Sequence, residues 1–325
     1  MKRLLWAACA LIAIGVLAVA GYIGWFVHDF RGPGPLKAET AVVVPPGSPL
    51  GVAARKLAQA GVIASRARFL KQIRYLTDSA PIQAGEYRFP AHVSPAAAYA
   101  MLVNGEVARY ALTIPEGWPA VKVHARLLAA TELTGEIAVP DEGSVLPDTY
   151  SYTRGETRAA VLARMQAAMR KTLAALWSQR APGLPLASPQ DAVVLASIVE
   201  KETGKPSEYA LVAGVYVNRL KRGMLLQADP TVIYPITRGL PLGRRIRLSE
   251  LRAVNGYNTY ARPGLPVGPI ANPGRAALAA TLKPAQTQAL YFVADGSGGH
   301  VFAVTLEEHN RNVARWRRYR VEQGI

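Results

Sequence analysis

ASIVEKETG, residues 196–204, ends an apolar stripe in a carboxylate. Upstream, Ser188, Pro189 and Asp191 have the order of a helix start: a capping hydroxyl, proline at the first helical position and an acid three places beyond the cap. Leu195, Ile198, Val199 and Glu202 then recur at 3.6-residue spacing, and Gly204 and Pro206 stop the helix. A carboxylate in a last turn faces the negative end of the helix dipole, and half-burial strips its hydration. Both effects favour the protonated form, and such a group donates a proton at neutral pH. The same spacing also suits two solvated helix-end acids, Glu200 and Glu202, flanking Lys201.

Downstream, residues 207–222 read as a second helix closed by Gly223. LLQADPTVIY follows at 225–234, where Pro230 imposes an extended or turn conformation on Asp229. NGYNTY at 255–260 leads into a segment dominated by proline and glycine, 261–274. Amides and phenols on stiff loops suit sugar recognition, because rings stack on aromatics while amides bond hydroxyls and N-acetyl groups; a rigid surface connection is the alternative. Residues 290–295 and 300–304 read as a hairpin around the turn 296–299. A terminal helix over 305–321 carries Arg311, Arg315, Arg317, Arg318 and Arg320, a solvated face or a contact for anionic lipid or wall polymer.

Upstream of the stripe, 325 residues at 50% hydrophobic content are enough for two or three folded units. One cysteine, Cys9, leaves no disulfide or thiolate zinc site, the five histidines lack ligand spacing, and neither metal nor cofactor is implied. A net charge of +16 fits an anionic partner without choosing one. Lys2 and Arg3 precede an uncharged run, 4–27, long enough for a bilayer core of about 30 Å. The run continues past an AxA-like site at 18–20, which favours an uncleaved anchor with a cytoplasmic N-terminus and argues against nucleic acid as partner. A linker, 28–40, precedes a strand, turn and helix over 41–60, and Ile114, Pro115, Gly117, Pro119 and Leu127 repeat Val44, Pro45, Gly47, Pro49 and Leu57 seventy positions on. With a strand at 85–89 and a helix at 94–102, these small pieces resemble LysM-like carbohydrate-binding modules. A long amphipathic helix over 156–178 and a break at 181–187 then precede the stripe.

Five ordered blocks, ASIVEKET, VYVNRLKRGMLLQADPTVIY, YNTY, GLPVGPIANPG and LYFVADGSGGH, closely resemble the endolytic murein transglycosylase family (MltG, YceG-like). The family's EGYLFPDTY-type block stands here as EGSVLPDTY, 142–150, with Ser144 in place of an aromatic. The resemblance implies an α+β protein of the bacterial inner membrane: an N-terminal transmembrane helix (1–27), a linker (28–40), a LysM-like module (41–110), a second small α/β module with a connecting helix (111–187) and a periplasmic catalytic domain (188–325). It implies a lyase that cuts nascent peptidoglycan strands with 1,6-anhydro ring formation, with cell-wall synthases as candidate partners. The register of wider lytic transglycosylases, matched by Ile198, Glu202 and Thr203, assigns the acid to Glu202. Gln227, Asp229, Tyr234, Asn258 and Tyr260 are the candidate glycan contacts. A muramidase pairing Glu202 with Asp229, or a non-catalytic peptidoglycan-binding scaffold, are the competing functions.

Overall fold

The first element of the computed structural model is a 30-residue helix, α1 (Lys2–Arg31). It is long and apolar enough to cross a membrane, and its side chains are exposed from Leu5 to Trp25. The structure describes residues 2–324, and contacts divide the chain into two units, Met1–Tyr110 with Tyr152–Gly155, and Ala111–Ser151 with Glu156–Ile325.

In the first unit, β1 (Thr40–Val44) pairs antiparallel with β2 (Gly85–Phe89), Val42 opposite Tyr87. Val42 and Val44 face inward while Ala41 and Val43 face water, the period of two that a half-buried strand requires. Against this sheet lie α2 (Leu50–Gln59), α3 (Arg66–Leu76) and α4 (Pro95–Asn104), whose Leu57, Phe69, Ile73 and Leu102 are buried with Tyr87 and Phe89. The segment expected as a linker is packed. Asp29 of α1 pairs with Arg68 at 2.7 Å and accepts from Gln72 at 2.8 Å, Phe30 and Leu36 are buried, and a side chain on Gly34 would meet the Val93 carbonyl. The α3 helix, absent from the sequence reading, supplies those partners.

In the second unit, Thr113 at the end of β3 (Arg109–Thr113) meets Thr149 of β4 (Thr149–Thr153) hydroxyl to hydroxyl at 2.9 Å. The turn into α5 (Ala120–Leu128) repeats the turn into α2: Gly117 has φ 69° where Gly47 has 72°, and Pro119 and Pro49 each form the cap. Next comes α6 (Arg158–Ser178), and then α7 (Pro189–Glu202), which has the predicted capping box of Ser188 and Asp191. Residues Ala192 through Val199 are all buried, so α7 is a core helix and not an amphipathic one. It is surrounded by α6, α8 (Tyr209–Lys221), α9 (Asp229–Thr237) and α11 (Arg275–Leu282), with α10 (Leu248–Arg252) a short turn between the last two. The hairpin is present as β5 (Tyr291–Ala294) and β6 (His300–Ala303), covered by α12 (Leu306–Gln323).

One residue differs from its expected setting. Asp229 opens α9 and is not extended, because proline is well placed in the first turn of a helix, where its missing N–H costs nothing.

Ser197 ties α7 to the proline-rich loop: its buried hydroxyl donates to Val194 O at 2.7 Å and accepts from Ile270 N at 3.0 Å. Ser197→Ala strands the Ile270 N–H in a dry core, and chemical denaturation is expected to show a loss of about 1–3 kcal/mol.

Candidate active site

Four segments converge at the C-terminal end of α7. That helix contributes Glu202, α8 contributes Tyr216 and Arg219, the start of α9 contributes Asp229, and the loop after α10 contributes Tyr260. The loop is fastened to α9 by threonines. Thr231 and Thr259 meet hydroxyl to hydroxyl at 2.8 Å, and Thr259 also accepts from Ala228 N at 3.0 Å. Gln227, just before, has φ 51°, an uncommon conformation for a residue other than glycine, and donates its backbone N–H to Thr259 O. This stitching brings the Tyr260 hydroxyl onto Asp229 Oδ1 at 2.5 Å.

Glu202 is half-buried as a residue, and its Oε1 is inaccessible and without a hydrogen-bond partner. Burial pushes its pKa from 4.5 to about 7; the Asp229 charge pushes the same way, while the Tyr216 hydroxyl and Arg219 draw it back. Tyr216 is itself raised well above the ordinary phenol value, first by burial and then by the Glu202 charge, so it stays a donor. Arg219 is buried with its guanidinium on the carbonyls of Leu226 and Leu290, both at 2.7 Å, and acts as a fixed positive charge.

Glu200 is not a solvated helix-end acid. One oxygen accepts from the Tyr209 hydroxyl at 2.7 Å and the other from Gly274 N at 2.9 Å, so it ties α7 to α8 and to the start of α11. Thr203 is occupied too, donating to Glu208 at 3.0 Å and accepting from Lys205 N at 3.1 Å.

Of the expected glycan contacts, Asp229 and Tyr260 stand with Glu202. Gln227 is exposed beside them. Asn258 is buried, its Nδ2 donating to the carbonyls of Glu250, Leu251 and Ala253 and its Oδ1 accepting from Tyr260 N, so its amide holds the loop. Tyr234 donates to Glu142 at 3.2 Å. Sequence reasoning did not single out Glu142, whose pKa burial raises to about 7. It accepts from Ala120 N at 2.9 Å and from Asn272 Nδ2 at 3.2 Å. The EGSVLPDTY block was its signal.

An open cleft of about 340 Å³ has Trp118, Lys122, Lys201, Pro230, Ile233 and Leu240 in its wall. Lys201 and Pro230, the chain neighbours of Glu202 and Asp229, line this cleft, and Glu202 and Asp229 themselves do not. Among the described residues no group of three or more His, Cys, Asp or Glu side chains is placed to hold a metal ion.

The unfolded-state pKa of Glu202 lies near 4.5 and the folded-state value near 7. Between them the folded protein keeps a proton that the unfolded chain has released, so stability falls as pH rises and is flat on either side. Glu202→Gln removes this loss. Its stability relative to the parent is expected to climb from about pH 4.5 to about pH 7 by about 3 kcal/mol in total. Denaturation curves at several pH values read this directly, and a difference independent of pH would mean a solvated carboxylate.

The YceG-like family matches residues 42–315. The endolytic murein transglycosylases of two Streptococcus pneumoniae strains are 36% identical over 180 residues, covering 53% of this chain and 32% of theirs, so the chain aligns with about a third of those relatives. The endolytic murein transglycosylase of Bacillus subtilis is 26% identical over 307 residues, 85% of this chain and 84% of its own length. A crystal structure of a YceG-like protein from Listeria monocytogenes superposes with a TM-score of 0.52 at 26% identity, over 84% of this chain and 98% of the other. With most of its length matched, including every segment that builds the Glu202 cluster, the chain belongs to the YceG-like family.

Proposed function

We propose that this protein is a membrane-anchored endolytic lytic transglycosylase of peptidoglycan, with Glu202 as its acid and base. The observation that carries this reading is a buried carboxyl that is half protonated near pH 7 and has one oxygen free of protein partners, at the end of a helix beside an open cleft. Family membership and the names of the relatives support the substrate.

In this reading Glu202 gives its proton to the bridging oxygen as the bond from C1 of N-acetylmuramic acid to that oxygen breaks. The positive charge developing at C1 lies near the carboxylate just formed and near Asp229. The sugar's own C6 hydroxyl then attacks C1, its proton returns to Glu202, and a 1,6-anhydro ring closes without consuming water. No second enzyme nucleophile is required, unlike the two-carboxylate glycosidase scheme. Tyr216 and Arg219 hold the carboxylate during the interval in which it is charged. Tyr260 keeps Asp229 in place, and Gln227 borders the site. The strand–turn–helix pieces over 41–110 and 111–187 serve as LysM-like guides for the strand, and Lys2 and Arg3 hold the N-terminus in the cytoplasm, which puts the chain beyond α1 in the periplasm.

Purified protein on defined uncrosslinked strands is expected to release anhydro-ended fragments. Products heavier by one water would reassign the chain to hydrolysis with Asp229 as the second carboxylate. Glu202→Gln is expected to lower kcat about a thousandfold while glycan binding persists, and Glu200→Gln to act through stability instead. Because the proton donor titrates near pH 7, kcat/KM of the parent should fall about tenfold per pH unit above that value.

A further inference from the structure

A second cleft, of about 410 Å³, lies between α12 and the β5–β6 hairpin, within the size range of small-ligand sites. Asp295, Asn312, Arg315, Trp316 and Tyr319 are in its wall, and none of them belongs to the Glu202 cluster. The Trp316 and Tyr319 rings stack on each other at 5.7 Å and 19°, both half-buried and both in the cleft wall. That pair is held still: the Tyr319 hydroxyl donates to Gly296 O at 3.1 Å and its ring lies against Gly296, where a Cβ would come within 2.7 Å. Gly296 has φ 90°, so the turn both needs glycine and seats the ring. Asp295 Oδ1 accepts from Ser297 N, Ser297 Oγ and Gly299 N, which fixes the turn itself.

Asn312 supplies the specific feature. It is 3% exposed, and its Oδ1 accepts from Arg315. Arginine has only donors, so the amide cannot be turned round, and Nδ2 is the group left over. That Nδ2 is buried and has no hydrogen-bond partner. A buried donor without an acceptor is costly, and a ligand carbonyl placed there recovers the loss.

We propose that this cleft is a second saccharide site that takes an N-acetylated amino sugar, its ring against the Trp316–Tyr319 pair and its acetamido carbonyl accepting from Asn312 Nδ2. Arg315, with donors to spare on the exposed rim, meets a carboxylate substituent on the same sugar. The site goes beyond the catalytic assignment and rests on it only for the polymer that supplies the sugar. One turn earlier on α12, His309 Nδ1 is also buried without a partner, so a water joining the two nitrogens is the competing occupant.

Titration calorimetry of the full chain in detergent, in the Glu202→Gln background to prevent turnover, tests this with a tetrasaccharide of alternating N-acetylglucosamine and N-acetylmuramic acid. Two binding events are expected. Trp316→Ala and Asn312→Asp should each weaken one of them by at least about tenfold, leaving the other event and the melting temperature unchanged. With Glu202 intact, cleavage of the same tetrasaccharide by either variant should equal the parent's. A single binding event that neither variant alters would overturn the proposal, as would Asn312→Leu binding as well as the parent, which would leave the amide to a water. A parent that cleaves the tetrasaccharide while its Glu202→Gln form shows only one binding event would sink this site and spare the transglycosylase reading; Trp316-dependent binding by a parent unable to cleave would do the reverse.

Discussion

A carboxyl at the tail of a core helix loses water and faces the negative end of the helix dipole, and the protein gives Glu202 too little in return to make its charge cheap. Everything around it follows from that imbalance. The helix is buried on all sides over the eight residues from Ala192 to Val199, and that packing carries its last turn toward the interior. Nothing at the site needs to force the acid into a dry place. Tyr216 and Arg219, both on α8, limit the penalty, which keeps the pKa near neutrality and stops it climbing to a value at which the carboxyl could not release its proton.

The surrounding loops have to be rigid for such a site to be useful, since a shifting wall would readmit water. Rigidity here comes from short polar side chains on backbone groups. Thr259 and Thr231 fasten the loop to α9, Asn258 collects three carbonyls, Asn272 accepts from Val145 N while donating to Trp118 O, and Ser197 reaches from α7 to Ile270. Each satisfies a buried donor or acceptor that an irregular segment would otherwise leave unpaired. That is why the segment 255–274 can be dense in proline and glycine and still hold one shape.

Local signals carried the sequence reading well where structure is local. The capping box of α7, the strand β1, the glycine-closed α4, the hairpin and the paired proline–glycine turns all stand where spacing placed them. The errors share one cause. The proline after Asp229 predicts an extended or turn conformation there, although the same proline suits a first helical turn, which is what the structure has. Tyr234 and Asn258 are candidate glycan contacts in the sequence, and in the structure they also hold protein partners: Glu142, ninety-two residues away, and carbonyls five to eight residues away that a loop path alone decides. The role of Glu142 is not legible locally, because its partners Tyr234 and Asn272 lie ninety-two and one hundred and thirty positions on. The α3 helix has four basic residues among eleven and carries Phe69, Ile73 and Leu76 at helical spacing, a signal the sequence does offer, whereas α11 is a short run of alanines and leucines with no periodicity that separates helix from loop.

An elevated pKa does not by itself identify the acid, since Glu142 and Glu202 are both raised to about 7 by burial. What separates them is where a proton could go. At Glu142 one oxygen takes Ala120 N and Asn272 Nδ2 and the other takes the Tyr234 hydroxyl, so every close neighbour is a donor and the carboxyl works as a clasp for the loop above it. Glu200 is committed in the same way, to Tyr209 and Gly274 N, and Glu208 to His300 and Thr203. Glu202 alone of these four has a buried oxygen on which no protein donor acts. A proton resting there has no acceptor within the protein. Across this unit the polar groups whose hydrogen bonds are complete hold the fold, and among the described residues Glu202 Oε1 is one of four buried side-chain atoms left without a protein partner.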